Sequence, residues 1–241
     1  MNLNLPIPAC ALAIGAHPDD IEFGCGATLA KWAAGGAVLN HLVLTDGAKG
    51  TWDPDQDLDA LVAERELEQL AAAKALGSRG KVVMLGAIDG ELQSTLAMRE
   101  RVAYWIRRLQ PDAIVGHDPW KRYRLHPDHR HAGWLTIDAV VAARDPHFHP
   151  EHDNAPWRPS TLLLFEADEP DHAEDATGWS DTKIAALLEH RSQHRSTMHI
   201  GPDDDGAQLA AFRRKVIDRL AEGGAKVGVE HAELFKAIAD L

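Results

Sequence analysis

Two short segments bring together residue types that do chemistry. In AHPDDIEFGCGATLA, residues 16–30, His17 and Asp20 stand three apart across a turn fixed by Pro18. That spacing can aim an imidazole and a carboxylate at one ion, and it sends Asp19, between them, elsewhere. In RLHPDHRH, His126 and His129 bracket Pro127 and Asp128 at the opening of a helix and offer the further imidazole that the first segment lacks. A His, a carboxylate and a second His make a donor set of the kind that zinc hydrolases use, with one coordination position left for water. Asp128 has two readings here, as a cap for the helix that follows or as an orienting partner for His126.

These residues need a scaffold that puts them side by side, and the hydrophobic pattern describes one. Short apolar, β-branched or Leu-rich runs predict strands over 11–16, 38–45, 81–85, 112–116 and 161–165. Helical spacing predicts helices over 21–34, 60–76, 96–109, about 129–143, 181–190, 207–220 and 231–241. Strands alternating with helices of this length make βαβ units, so the expected class is α/β: a Rossmann-like, doubly wound, mostly parallel sheet in a three-layer α/β/α arrangement. One domain over residues 1–241 accommodates all of it. In such sheets ligands bind beyond the carboxyl ends of the strands. Those ends carry His17 to Asp20, Asp46, Asp89, and His117 with Asp118. A nucleotide loop is not expected, because Gly24 and Gly26 are followed three residues later by Leu29, where the phosphate-binding glycine pattern needs a small residue.

Composition narrows the function classes. The formal net charge of −12 argues against a nucleic-acid partner and against an anionic membrane surface. Cys10 and Cys25, the two cysteines, cannot form a disulfide framework, which makes a reducing, cytoplasmic setting the expectation. The 14 histidines mean that any metal is held by imidazole and carboxylate. No apolar run approaches the roughly 18 residues of a membrane span, and no basic residue precedes the apolar start, as a signal peptide requires.

The two motifs together with LTDGAKGT at 44–51, RELEQLAAAKALG at 65–77 and HPDHR at 126–130 make the sequence resemble the PIG-L or LmbE type of zinc-dependent de-N-acetylases. Weaker matches are HRSQ at 190–193 and EHAELF at 230–235. The resemblance implies an LmbE-like fold and hydrolysis of the acetamide of an N-acetylglucosamine-containing small molecule or glycoconjugate. It implies His17, Asp20 and His129 as ligands of one Zn2+ per chain, with Asp19 as general base. It further implies His126 as the electrophile facing the oxyanion, held cationic by a carboxylate–imidazole bond from Asp128, and Arg65 and Asp89 as substrate-binding residues. Fe2+ also suits two histidines and a carboxylate. Relatives of this type assemble as homo-oligomers, so a trimer or hexamer is the expected assembly. The alternatives are an amidase of a thiol–sugar conjugate and a non-catalytic sugar- or metal-binding module. Two features depart from the common pattern: Ile21 before Glu22, and His231 where Tyr is usual.

Two further clusters are expected to be without function. Asp53, Asp55, Asp57, Asp59 and Glu64 imitate calcium-loop spacing, but Leu58 stands where the loop needs Gly, so they read as an acidic approach to the next helix. His147, His149 and His152 offer a metal-chelating column as one reading, but the adjacent prolines and acids give no preformed geometry, so the expectation is a solvated loop over 145–159. Lys121, Arg122 and Arg124 would form either a positive wall at the site or a solvated rim.

Overall fold

The computed structural model describes residues 1–241. Its framework is one sheet of eight strands: β1 (Asn2–Leu3), β2 (Cys10–Gly15), β3 (Val38–Thr45), β4 (Val82–Ala87), β5 (Ala113–His117), β6 (Thr161–Phe165), β7 (His172–Asp175) and β8 (Ala232–Ala239). They lie in the order β1-β7-β8-β6-β5-β2-β3-β4, parallel throughout except β8, which runs antiparallel to both neighbours. Six helices cover it: α1 (Asp20–Ala34), α2 (Leu58–Ala75), α3 (Leu96–Leu109), α4 (Pro127–Arg144), α5 (Ser180–Leu188) and α6 (Ala207–Ala225).

The central strands are apolar on both faces because both are covered. Along β2, Leu12 and Ile14 enter a core shared with α3 and α4, whereas Ala11 and Ala13 enter a second core shared with α1 and α2. The period of two thus feeds both layers of the α/β/α stack. A smaller third core, around Ile184, Leu187, Phe212 and Leu220, joins α5 to α6. No helix is long and apolar enough to cross a membrane.

The expected class and the five expected strands appear, with ends displaced by a residue or two. The segment 231–241 is a correction. Its Ala, Glu, Leu and Lys favour a helix, yet it forms strand β8, inserted between β6 and β7 with Phe235 opposite both Phe165 and His172. The two flanking strands present open ladders that a helix could not pair, and burial of Phe235 overrides local propensity. The edge strand β1 and its neighbour β7, two and four residues long, carry too little pattern to be read from sequence.

The chain visits β2, β3 and β4 in one direction across the sheet and then returns to place β5 on the other side of β2. The crevice of a doubly wound sheet opens at that reversal, beyond the carboxyl ends of β2 and β5.

Candidate active site

His17 follows β2 and Asp20 opens α1. The Asp20 carboxylate accepts the His17 backbone N–H at 2.7 Å, which closes the turn that Pro18 begins. Asp19 takes a left-handed backbone, φ 97° and ψ −26°. The two adjacent carboxylates consequently face different partners. Asp20 lies 3.3 Å from His17 Nδ1, 3.2 Å from His117 Nε2 and 3.2 Å from His129 Nε2. Asp19 lies 3.7 Å from Arg65 Nη2 instead.

The second motif arrives from α4. Pro127 occupies the first turn, where its missing N–H costs nothing, and His126 caps the helix by accepting the Asp128 N–H at Nδ1, 3.3 Å away. His129 follows one turn later, its ring stacked on His126 at 4.8 Å and on His117 at 4.5 Å between centroids. The His17 ring lies 4.5 Å from that of His126 and 5.2 Å from that of His129.

Arg65 and Asp89 complete the wall. Arg65, on α2, is almost wholly buried and donates to the carbonyls of Gly47 at 2.7 Å and Pro18 at 2.6 Å. Asp89, after β4, accepts the Lys49 N–H at 2.9 Å and lies 3.1 Å from His17 Nε2. Together with Lys49, Phe23, Gln193, Thr197 and residues of α6, these side chains line a cleft of about 540 Å³. Within it, Gly24 lies so close to Phe165 that a Cβ there would stand 2.7 Å from the ring. Gly24 thus serves close packing of α1 on the sheet, whereas Gly26 leaves room for Lys183 of α5.

The electrostatics are those of a site short of positive charge. Asp19, Asp20, Asp89 and Asp128 are all buried; the buried Arg65 guanidinium lies 3.7 Å from Asp19, and that of Arg124 lies behind the rings of His117 and His129. Burial would lower the His17 pKa, but hydrogen bonds to Asp128, Asp20 and Asp89 push it up to about 12. Burial pushes the Asp19 carboxyl up to about 6 against the pull of Arg65. Asp20 stays well below the usual carboxylate range despite burial, because His129 and His117 face it. Burial lowers His117 to about 4, so that imidazole is neutral and has a lone pair to offer.

Residues 12–140, more than half of the chain and the span holding both motifs, match the family described as PIG-L, GlcNAc-PI de-N-acetylase. The chain belongs to the PIG-L family. A diacetylchitobiose deacetylase of Thermococcus kodakarensis is 34% identical over 76% of this chain and 69% of its own length. A 1D-myo-inositol 2-acetamido-2-deoxy-alpha-D-glucopyranoside deacetylase of Streptomyces avermitilis is 32% identical over 61% of this chain and 57% of its own length. The N,N'-diacetylchitobiose deacetylase of Pyrococcus horikoshii, solved with an inhibitor, superposes with a TM-score of 0.85 at 30% identity, over 96% of this chain and 84% of that one.

This PIG-L site brings together all eight residues singled out from the sequence, with one partnership rearranged. Asp128 does not bond the His126 ring. Its carboxylate turns inward, 3.1 Å from His17 Nε2, and accepts the N–H groups of Gly90 at 2.6 Å and Leu92 at 3.2 Å. The reason is positional: the second residue of α4 faces the loop after β4, whose N–H groups have no strand partner. His126 is accordingly held below its usual 6.5 by burial and by neighbouring His17 and His129. With Nδ1 accepting from the backbone, its proton sits on Nε2.

Of the three cations read as a positive wall or a solvated rim, Lys121 pairs with Asp168 away from the cleft, whereas Arg124 pairs with Glu166 and lies 3.1 Å from His129 Nδ1. The acidic loop caps α2 through Asp57, which accepts the Ala60 N–H at 3.0 Å. His117 joins the cluster without having been singled out as a ligand; its position at the end of β5 was the available signal. Less legible is the buried chain behind Asp19. Gln69 Oε1 accepts the Asp19 N–H at 3.2 Å, Gln69 Nε2 donates to Glu22 at 2.8 Å, and Glu22 lies 3.2 Å from His190 Nε2.

Proposed function

We propose that this PIG-L chain hydrolyses the acetamide of an N-acetylglucosamine-containing small molecule or glycoconjugate, with Asp19 as general base and a zinc-class ion held by His17, Asp20 and His129. The observation that carries the reading is the buried excess of carboxylate around imidazole nitrogens in one open cleft. A divalent cation would balance that charge, and the nitrogen and oxygen donors suit zinc, with ferrous iron also compatible. Such an ion would supply an acidified water and polarise a carbonyl near neutral pH.

The chain's own residues supply the rest. Asp19, raised to about 6 by burial, accepts the proton of the attacking water and returns one to the leaving nitrogen as the C–N bond breaks, giving acetate and a free amine. His126 Nε2–H donates to the oxyanion that develops on the amide oxygen, in the manner of a neutral imidazole electrophile. Arg65 and Asp89 face sugar hydroxyls. Arg65 also ties the 17–20 turn to the loop after β3 through its two carbonyl bonds, so the base is held against both.

The test is release of amine from N,N'-diacetylchitobiose and from GlcNAc-inositol, before and after chelation, by the wild type and Asp19→Asn. The expected outcome is chelator-sensitive turnover restored by Zn2+, and a loss on the order of 10²–10⁴-fold in Asp19→Asn with the fold intact. Turnover indifferent to both chelation and Asp19→Asn would overturn the reading.

A further inference from the structure

We propose that Glu100, His149, Glu151 and His152 form a second divalent-metal site, structural rather than catalytic, that binds a zinc-class ion and clips the 145–157 loop to α3.

The sequence over 149–152 reads His-Pro-Glu-His, the same order of imidazole, proline, carboxylate and imidazole as His126 to His129. Here too a proline-directed turn gathers the two histidines: the His152 N–H donates to the His149 carbonyl at 3.1 Å, and the rings stack 5.0 Å apart with planes 15° from parallel. The ligand atoms of Glu100, His149, Glu151 and His152 all lie within 4.8 Å of one another. Glu100 belongs to α3, so the set joins two separate parts of the chain.

One nitrogen of each ring has no hydrogen-bond partner. The His152 side chain is only 6% exposed, its Nδ1 has no partner, and its Nε2 is 3.6 Å from Glu100, beyond hydrogen-bond reach. His149 Nε2 is likewise buried without a partner, while its Nδ1 lies 3.4 Å from Glu151. Buried imidazole nitrogens in native proteins are normally satisfied, and a metal ion would engage one nitrogen of each ring. Two imidazoles and two carboxylates offer one divalent cation four donors of the nitrogen and oxygen types that zinc accepts, with the two carboxylates balancing its charge.

The turn is also held in place before any ion arrives. Arg107, itself buried, donates to the carbonyls of Ala142, Ala143, Asp145, Phe148 and His149 at 2.8 to 3.1 Å. This preorganisation is what the bare sequence of the loop conceals. None of the four residues lines the cleft, so this cluster is separate from the one around His17 and Asp20.

The tag-free chain, stripped by chelation, is titrated with Zn2+ alone, with bound metal counted by mass spectrometry. Two equivalents per chain are expected in the wild type, one in the His149→Ala/His152→Ala double variant, and one in Asp20→Asn. The double variant should retain amine-release activity, which separates this site from the catalytic one. Should the double variant fail to fold, Glu151→Gln serves instead, because its side chain is 61% exposed. It should weaken the second equivalent by at least the roughly 10–100-fold that loss of an outer-shell partner costs a metal site. A wild type that binds one equivalent, lost in Asp20→Asn, overturns the proposal, as do two equivalents that survive these substitutions. Neither result bears on whether the cleft hydrolyses acetamides.

Discussion

Helix α1 is broken in its middle, and the repair predicts a large and specific loss of stability. Cys25, at φ −148° and ψ 18°, leaves the helical region. The N–H groups of Ala27 and Thr28 find an acceptor outside the helix: the Glu233 carboxylate from β8, at 3.1 and 2.8 Å. Lys183 of α5 donates to Glu233 at 2.5 Å and to the Phe23 carbonyl at 2.8 Å, so one buried ion pair serves both sides of the break. Replacing Glu233 by Leu orphans two buried N–H groups, each costing about 1–3 kcal/mol, and strands a Lys side chain that is 6% exposed. Removing one partner of a buried pair costs about 3–5 kcal/mol, and the two routes agree on a value near 4 kcal/mol. For a chain of this size that is a fall in Tm on the order of 8–16 °C. Thermal and urea unfolding of Glu233→Leu, Lys183→Met and the double variant form a cycle in which the double variant should cost less than the sum of the singles by about 1 kcal/mol or more. Singles costing under about 1 kcal/mol, or strict additivity, would refute the account of the break.

Two other perturbations test the framework of the site and of the sheet. Gln69→Leu removes the acceptor of the Asp19 N–H and should lower kcat on the order of tenfold with little change in KM, because Asp19 is held in a backbone conformation costing about 1–3 kcal/mol; an unchanged kcat would show that the turn holds itself. On β7, burial would raise the Glu174 pKa, but hydrogen bonds from His172, Lys31 and the Leu5 N–H hold it below 4.5. A carboxyl depressed on folding contributes stability above its unfolded pKa and loses it as pH falls through the folded value, so the urea midpoint should drop below about pH 4.5 and that slope should shrink in Glu174→Gln.

The parts of the site that were legible in the sequence are those where a proline-fixed turn makes neighbours in the chain neighbours in space. His17, Asp20, His126 and His129 sit on such turns, and the α/β alternation places both turns at one edge of the sheet. The partnership of Asp128 was misjudged because which way the first turn of a helix faces depends on what packs beside it, here the loop carrying Gly90 and Leu92. Gln69 and Glu233 were out of reach for a similar reason: an interior glutamine on α2 and a glutamate in a helix-favouring segment acquire their roles from α1, which is distant in sequence.

By itself, then, the sequence determined the layer architecture, through strands apolar on both faces, and the donor types and local spacing of the two motifs. These are properties of periodicity and of rigid turns, both of which act over a few residues. Only the tertiary structure decided that the last segment is a strand, that Asp128 serves His17, that Glu233 mends α1, and that Arg107 preforms the turn at His149 to His152. Each of those rests on a buried polar group whose partner must come from another element, and the need to satisfy buried hydrogen bonds is met only once the elements have packed.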